Sequence, residues 1–411
     1  MKISVNNIVN NGLVHYLLAN MIFSISTFIV NACLPKIFIY EFYSKFVYVF
    51  QMVLFVTTIS QAGLVVGLYK FMHTNQKQIL NIYYTSIFVI CTILLLLGVF
   101  DDNWVVVILK LTDLSEVENL MFFLSIMVSS IFLFNKGKNV ADKAYKYMLR
   151  ISVTSFGIRI IVLCVLYFLQ IKSLSITLFL LFILPFVQDI RDFFIYSIRY
   201  VRLGKIEKER LYSFLLYCFR VWSVGALFMI SDRIFLIYTK GTDVHFTTAI
   251  AFSAGFLGII SLFNSSFTNY FLSNLSSDRI DEIKFHVNRL KKMLIPYFGI
   301  LLLICLSFSL IVYYMYPALK STTAVVLFIT LLRSGIISYL GMFSLLSKVL
   351  DFLNIEIILN ILRIVVVFFL CMFWQPENLI IWYAVVMFTL PFPELVLTIL
   401  IDNKLKRYAN N

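Results

Sequence analysis

Apolar residues in this chain do not recur at the spacing of one helix face or one strand face. They run on, in blocks of about twenty broken by short polar connections. A helix needs about 20 mostly apolar residues to cross the hydrocarbon core of a bilayer. Twelve blocks predict twelve membrane-spanning helices, over residues 12–34, 46–69, 80–100, 120–134, 151–170, 176–198, 211–238, 246–272, 294–316, 322–345, 355–373 and 379–400. The fourth is short and is expected to borrow from the amphipathic stretch before it. Strand-like alternation is weak, and backbone groups in lipid must bond within their own segment, so the blocks read as helices and not as a barrel. The first block is too long for a signal-peptide core and lacks a small-residue cleavage site, which predicts an uncleaved first helix.

Composition agrees with the pattern. Of 411 residues, 61% are hydrophobic and 13% charged, and the mean hydropathy is +0.93. A soluble domain carries about 25% charged residues, so a soluble enzyme, a disordered tail and a secreted disulfide scaffold are excluded. The fold class is an all-α polytopic membrane protein. Only 14 glycines and 7 prolines interrupt the blocks. The six cysteines lie in or beside apolar runs with no CxxC pair, and read as buried free thiols.

A net charge of +13 would suggest nucleic acid for a soluble protein; here it is expected in cytoplasmic loops. Connections on the side of the N-terminus hold 22 Lys and Arg, and those on the other side hold 6. The positive-inside rule then puts both termini in the cytoplasm. The longest outer connection, 101–119, is acidic. Lys/Arg clusters such as Arg289, Lys291 and Lys292 are expected to meet anionic lipid headgroups, with no nucleic-acid partner.

The basic stretch 199–210 lies near the midpoint and invites a search for a repeat. Ile158-Arg159-Ile160-Ile161-Val162 matches Leu362-Arg363-Ile364-Val365-Val366, 204 residues later. Leu184-Pro185-Phe186 matches Leu390-Pro391-Phe392, 206 residues later, and each is followed by a carboxylate, Asp189 and Glu394. These matches predict an N-terminal six-helix half (1–198), a cytoplasmic linker (199–210), a C-terminal six-helix half (211–400) and a cytoplasmic tail (401–411). Halves that start from the same side form a parallel repeat with a pseudo-twofold axis along the membrane normal. An alternating-access transporter, with substrate between the halves, is the expected function.

With these motifs the chain resembles the polysaccharide-transporter branch of the multidrug/oligosaccharidyl-lipid/polysaccharide exporter superfamily. Within it, the resemblance is to the Wzx-type O-antigen flippases. The end of the second helix, Gln61-Ala62-Gly63 with Gly67 and Tyr69-Lys70-Phe71, and the Ser231-Asp232-Arg233 element also resemble that group. The resemblance implies transport of an undecaprenyl-diphosphate-linked oligosaccharide from the cytoplasmic to the periplasmic leaflet of the bacterial inner membrane. It implies no chemical step and no cofactor, and it admits a polymerase and a chain-length regulator as partners.

Charged side chains deep in a bilayer cost about 2.5–3.5 kcal/mol each on insertion scales, so each needs a partner, a wet cavity or a route to the interface. Arg159, Arg333 and Arg363 lie too deep to reach the interface. Neither Arg159 nor Arg363 has an acidic residue within a turn or two, so a cationic cavity for diphosphate and acidic sugars is expected from these three. Arg220 is a further candidate, divided between that cavity and an ion pair with Asp189 or Glu394. Asp232 and Arg233, adjacent on a helix, diverge by about 100° and are not expected to pair; Arg233 is expected to snorkel outward. Arg191 and Asp192 are expected to be solvated. Asp189, Glu394 and Asp232 are the candidates for proton coupling or gating, since a carboxylate must change protonation between states in a proton-driven antiporter.

No Gly-rich phosphate loop, nucleophile elbow or metal-ligand spacing occurs, so no catalytic residue and no metal site is assigned. Two other functions compete. An O-antigen polymerase or another membrane glycan-modifying enzyme shares the size and composition, but polymerases of that kind usually carry a long, arginine-bearing outer loop. A multidrug exporter of the same superfamily would favour an acidic cavity. Six interior arginines against Asp189, Asp192, Asp232 and Glu394 point instead toward an anion.

Overall fold

The structure is a computed structural model that describes residues 12–72, 76–100, 104–201, 207–240, 242–257, 288, 291–292, 294–316, 319–349, 352–374 and 376–410. Every regular element among them is helical. The apolar helices follow the predicted order: α1 (Gly12–Ile37), α2 (Tyr40–Phe71), α3 (Gln76–Val99), α4 (Glu116–Ala141), α5 (Tyr145–Leu169), α6 (Leu174–Tyr200), α7 (Lys208–Thr239), α8 (Val244–Ala254), α9 (Leu294–Met315), α10 (Lys320–Val349), α11 (Leu353–Phe373) and α12 (Leu379–Lys404). All but α8 are long and apolar enough to cross a bilayer. The remainder of the eighth predicted span, from residue 258, lies outside the described residues, as does the core of the linker, 202–206. Apolar side chains cover the outside. In α9, Ile295 is 83% and Leu303 67% exposed, a surface that only lipid stabilises. The protein is a multi-pass membrane protein.

The chain forms two compact units, Met1–Ala226 and Leu227–Asn411. Each is organised around its fourth helix. In the first unit α4 packs on α2, α3, α5 and α6, while α1 lies along α5. In the second, α10 packs on α8, α9, α11 and α12.

The proline motifs break both final helices at the same place. In α6 the α-helix gives way to a π-turn at Phe179–Ile183 and a 3-10 turn at Leu184–Phe186, then resumes at Val187. In α12 it stops at Thr389 and resumes at Phe392. Proline lacks an N–H and collides with the carbonyl four residues back, so neither helix can continue unchanged through its proline.

The glycine motif of α2 has a different use. Gln61-Ala62-Gly63 is a break in which Ala62 and Gly63 take positive φ, 49° and 69°. A side chain on Gly63 would strike the Cys218 carbonyl of α7, so glycine is required twice over. The indole of Trp222 donates to the Ile59 carbonyl at 2.8 Å, beside the break.

Two expectations change. The fourth span does not end at residue 134 and leave a loop; α4 runs on to Ala141. Its polar residues are held inside the unit: Asn135 donates to the Asp189 carbonyl at 2.7 Å, and Lys138 pairs with Asp142 at 2.7 Å over the Tyr196 ring. Its N-terminal end starts on a capping box, Ser115 with Glu118, and Glu118 also takes Lys45 of α2 at 3.1 Å. The cysteines are all free, but Cys33 is only half-buried and Cys164 is exposed. A small apolar thiol faces lipid as readily as it faces protein.

Candidate functional site

Arg159 of α5 is 8% exposed. Its guanidinium donates to the hydroxyls of Ser26 and Thr27 on α1, both at 3.2 Å. It lies over two aromatic rings, Phe23 at 4.9 Å and Phe186 at 5.2 Å. Phe23, Phe132 and Phe186 stack on one another with centroids 4.9 and 4.5 Å apart. No carboxylate pairs with Arg159 among the described residues. Beside it opens a cavity of about 150 Å³ within the first unit, walled by phenylalanines and by Thr27, Thr57 and Ser129. The hydroxyls of Thr57 and Ser129 have no hydrogen-bond partner among the described residues. The cavity therefore offers a fixed positive charge, cation–π contacts that hold it in place, and unspent hydrogen-bonding groups.

Lys136 of α4 belongs here too. Its ammonium lies over the same Phe23 ring at 5.5 Å, and it has no acidic partner among the described residues. Counting the residues after position 134 as a loop hid it. The signal was the continued helical run through Asn135-Lys136-Gly137-Lys138.

Asp189 is 1% exposed, and one carboxylate oxygen has no hydrogen-bond partner among the described residues. Asp192, three residues on, is also buried, which corrects the expectation of a solvated residue. Tyr147 donates to its Oδ2 and exposed Arg191 pairs with its Oδ1 at 3.0 Å. Asp192 is thus neutralised where Asp189 is not.

The second unit treats its arginines differently. Arg363 of α11 is 3% exposed, donates to Glu394 of α12, and lies over the Phe228 ring at 5.0 Å. Arg333 of α10 donates to Asp232 of α7. The expectation that Arg333 and Arg363 join Arg159 in a cationic cavity is corrected: both are in buried ion pairs with acidic residues of other helices, which sequence spacing does not display. Arg233 is corrected as well. It is 6% exposed, so it does not snorkel, and its Nε lies 3.6 Å from Asp232 Oδ2. Adjacent side chains diverge at Cβ, but an arginine is long enough to fold back toward its neighbour. Glu356 of α11, 6% exposed, is a further interior carboxylate that its place at the edge of the predicted span concealed. With Arg191 and Arg220 exposed, the buried Arg159, Arg233, Arg333 and Arg363 do not outnumber Asp189, Asp192, Asp232, Glu356 and Glu394, so the expected excess of interior arginines is corrected. Arg220 is exposed and makes no ion pair among the described residues.

No family model matches this sequence, and no curated protein matches it. Solved structures do. The chain is similar to the eukaryotic MATE transporter AtDTX14 at 11% identity, with a TM-score of 0.65 over 97% of each chain. It is similar to a multidrug resistance MATE family transporter of the MOP superfamily in an outward-facing conformation, at 14% identity and a TM-score of 0.59, covering 97% of this chain and 96% of that one. A MOP superfamily transporter from Pyrococcus furiosus, described as having a binding pocket of reverse polarity that suggests a different function, is 12% identical with a TM-score of 0.60 over 96% and 95% of the two chains. The protein has the MATE transporter fold in two halves.

Proposed function

We propose that this protein is an alternating-access transporter of an anionic, lipid-linked oligosaccharide. Its substrate in this reading is a repeat unit on undecaprenyl diphosphate, flipped from the cytoplasmic to the outer leaflet of the bacterial inner membrane, with both termini in the cytoplasm. The observation that carries this reading is Arg159: a buried guanidinium, held by rings and hydroxyls, beside a cavity with no carboxylate to neutralise it. Burying a cation without a counter-ion is costly, and a diphosphate would supply the missing charge. Lys136 adds a second positive charge at the same ring. Asp189, buried without a cation partner among the described residues, is the group assigned to proton coupling, with Glu394 and Asp232 committed to ion pairs. A polymerase and a chain-length regulator are the partners this pathway would supply; no cofactor or metal takes part.

The second reading is a multidrug exporter, favoured by the solved structures that share the fold. Arg159 and Lys136 oppose it for cationic drugs. An enzyme reading has no catalytic constellation behind it. The test is Arg159→Gln, examined in cells for surface polymer and in proteoliposomes for flipping of a fluorescent lipid diphosphate. Flipping should fall at least about tenfold, the cost of losing one charge-assisted contact, with protein level unchanged. Lysine should rescue only partly, because it lacks the planar fork that grips two phosphate oxygens. Wild-type flipping by Arg159→Gln, or flipping of cationic dyes in preference to the diphosphate, would overturn the proposal.

A further inference from the structure

At the end of the first unit opposite its outer connections, the start of α3 and the end of α6 enclose a groove of about 720 Å³. It is lined by Gln76, Lys77, Gln78, Asn81, Arg199 and Tyr200. Beneath it the two helices are clasped by aromatic rings. Tyr84 stacks on Tyr200 with centroids 5.7 Å apart and 12° between planes, and lies 5.8 Å from Tyr196. One wall is tied to the start of α7: Gln78 donates to Glu207 at 2.9 Å and accepts from Arg210 at 2.8 Å, and those two pair at 2.7 Å. The carboxylate of Glu207 at this wall is therefore already neutralised. Lys77 and Arg199 form no ion pair among the described residues.

Immediately beside the groove, α6 presents exposed apolar residues one turn apart: Ile198, 84% exposed, then Phe194 and Ile195 at 58% and 53%. Two unneutralised cations and several amides thus sit at the foot of an apolar rail, between two helices that cross the membrane. That combination matches an amphiphile with a phosphate head and acyl chains. A soluble phosphate would have no use for the rail.

We propose that this groove binds the headgroup of an anionic phospholipid, with Lys77 and Arg199 on the phosphates and the acyl chains along Ile198, Ile195 and Phe194. Basic recesses between membrane helices are suited to headgroups of this kind. The site is independent of the substrate assigned above. The test uses the full-length protein in detergent, with thermal unfolding followed as cardiolipin, phosphatidylcholine or inorganic pyrophosphate is titrated. Cardiolipin should raise the unfolding midpoint saturably and phosphatidylcholine should not. Lys77→Gln/Arg199→Gln should unfold normally without lipid and require roughly 30-fold more cardiolipin for the same rise, from about one kcal/mol per basic residue near a lipid surface. Lys110→Gln/Lys172→Gln, at the other ends of the spans, should respond like wild type. An unchanged cardiolipin response in the groove variant, or an equal loss in the control variant, would overturn the site. Stabilisation by pyrophosphate at the same concentrations would overturn the lipid as its occupant. If the double variant fails to fold, Lys77→Gln alone should show a roughly fivefold shift.

Discussion

Arg159 and Arg363 occupy matching sequence positions in the two halves, yet among the described residues only Arg363 is paired with a carboxylate. In the second unit Arg363 is bonded to Glu394 across α11 and α12; in the first, Arg159 and Asp189 are not paired. A single residue accounts for much of the difference. Glu394 lies three positions after Pro391, and Asp189 four positions after Pro185. One position on a helix is a rotation of about 100°, enough to turn a carboxylate from the arginine toward another neighbour. Glutamate also reaches one methylene further than aspartate. The two halves share the helix, the proline break and the arginine, and differ in the neutralisation. Among the described residues, Arg363 and Arg333 are thereby paired with carboxylates inside the second unit, while Arg159 of the first is held only by rings and hydroxyls.

The largest expected effect lies in the second unit. Glu394→Gln or Arg363→Gln alone strands a buried charge and should cost about 3–5 kcal/mol, seen as a steep loss of membrane-inserted protein and a lowered unfolding midpoint. The double substitution Arg363→Gln/Glu394→Gln should recover most of that loss. Single variants as abundant as wild type would mean the pair contributes nothing to stability.

A smaller effect comes from making the first unit imitate the second. Gln188→Glu/Asp189→Asn moves the carboxylate to the third position after Pro185, the register of Glu394. It should bring a carboxylate to Arg159, hold the unfolding midpoint at or slightly above wild type, and reduce lipid-diphosphate flipping at least about tenfold, since the counter-ion is now internal. Undiminished flipping would show that Arg159 does not need to be free.

The smallest effect on stability is expected from Asp189→Asn. A buried carboxylate without a cation costs solvation energy, so its removal should change stability by less than about 1 kcal/mol. Transport should persist but lose its response to an imposed pH gradient, because the position can no longer gain and release a proton. A loss of protein comparable to that of Glu394→Gln would reveal an ion pair at Asp189. A retained gradient response would move coupling to another group.

The helical spans among the described residues and their order were legible in the linear pattern, and the proline motifs that mark both breaks stood out in it. Membrane helices satisfy their own backbone, so the length and apolarity of a block suffice to place it. The arginines were legible too, since a charge within such a block stands out. The end of α4 was not: Asn135, Lys136 and Lys138 read as a loop because their partners, the Asp189 carbonyl, the Phe23 ring and Asp142, are mostly distant in sequence. Glu356 was masked for the opposite reason, by lying at the apparent edge of a block whose first turn is buried by packing.

Which arginines have partners was decided only by the packing of helices. Arg333 meets Asp232 from 101 residues away and Arg363 meets Glu394 from 31, and neither separation carries a periodic signal. Linear spacing reports neighbours on one helix, at three or four positions. An ion pair between helices depends on how each is rotated about its axis, which follows from side-chain packing and, here, from one residue's difference after a proline.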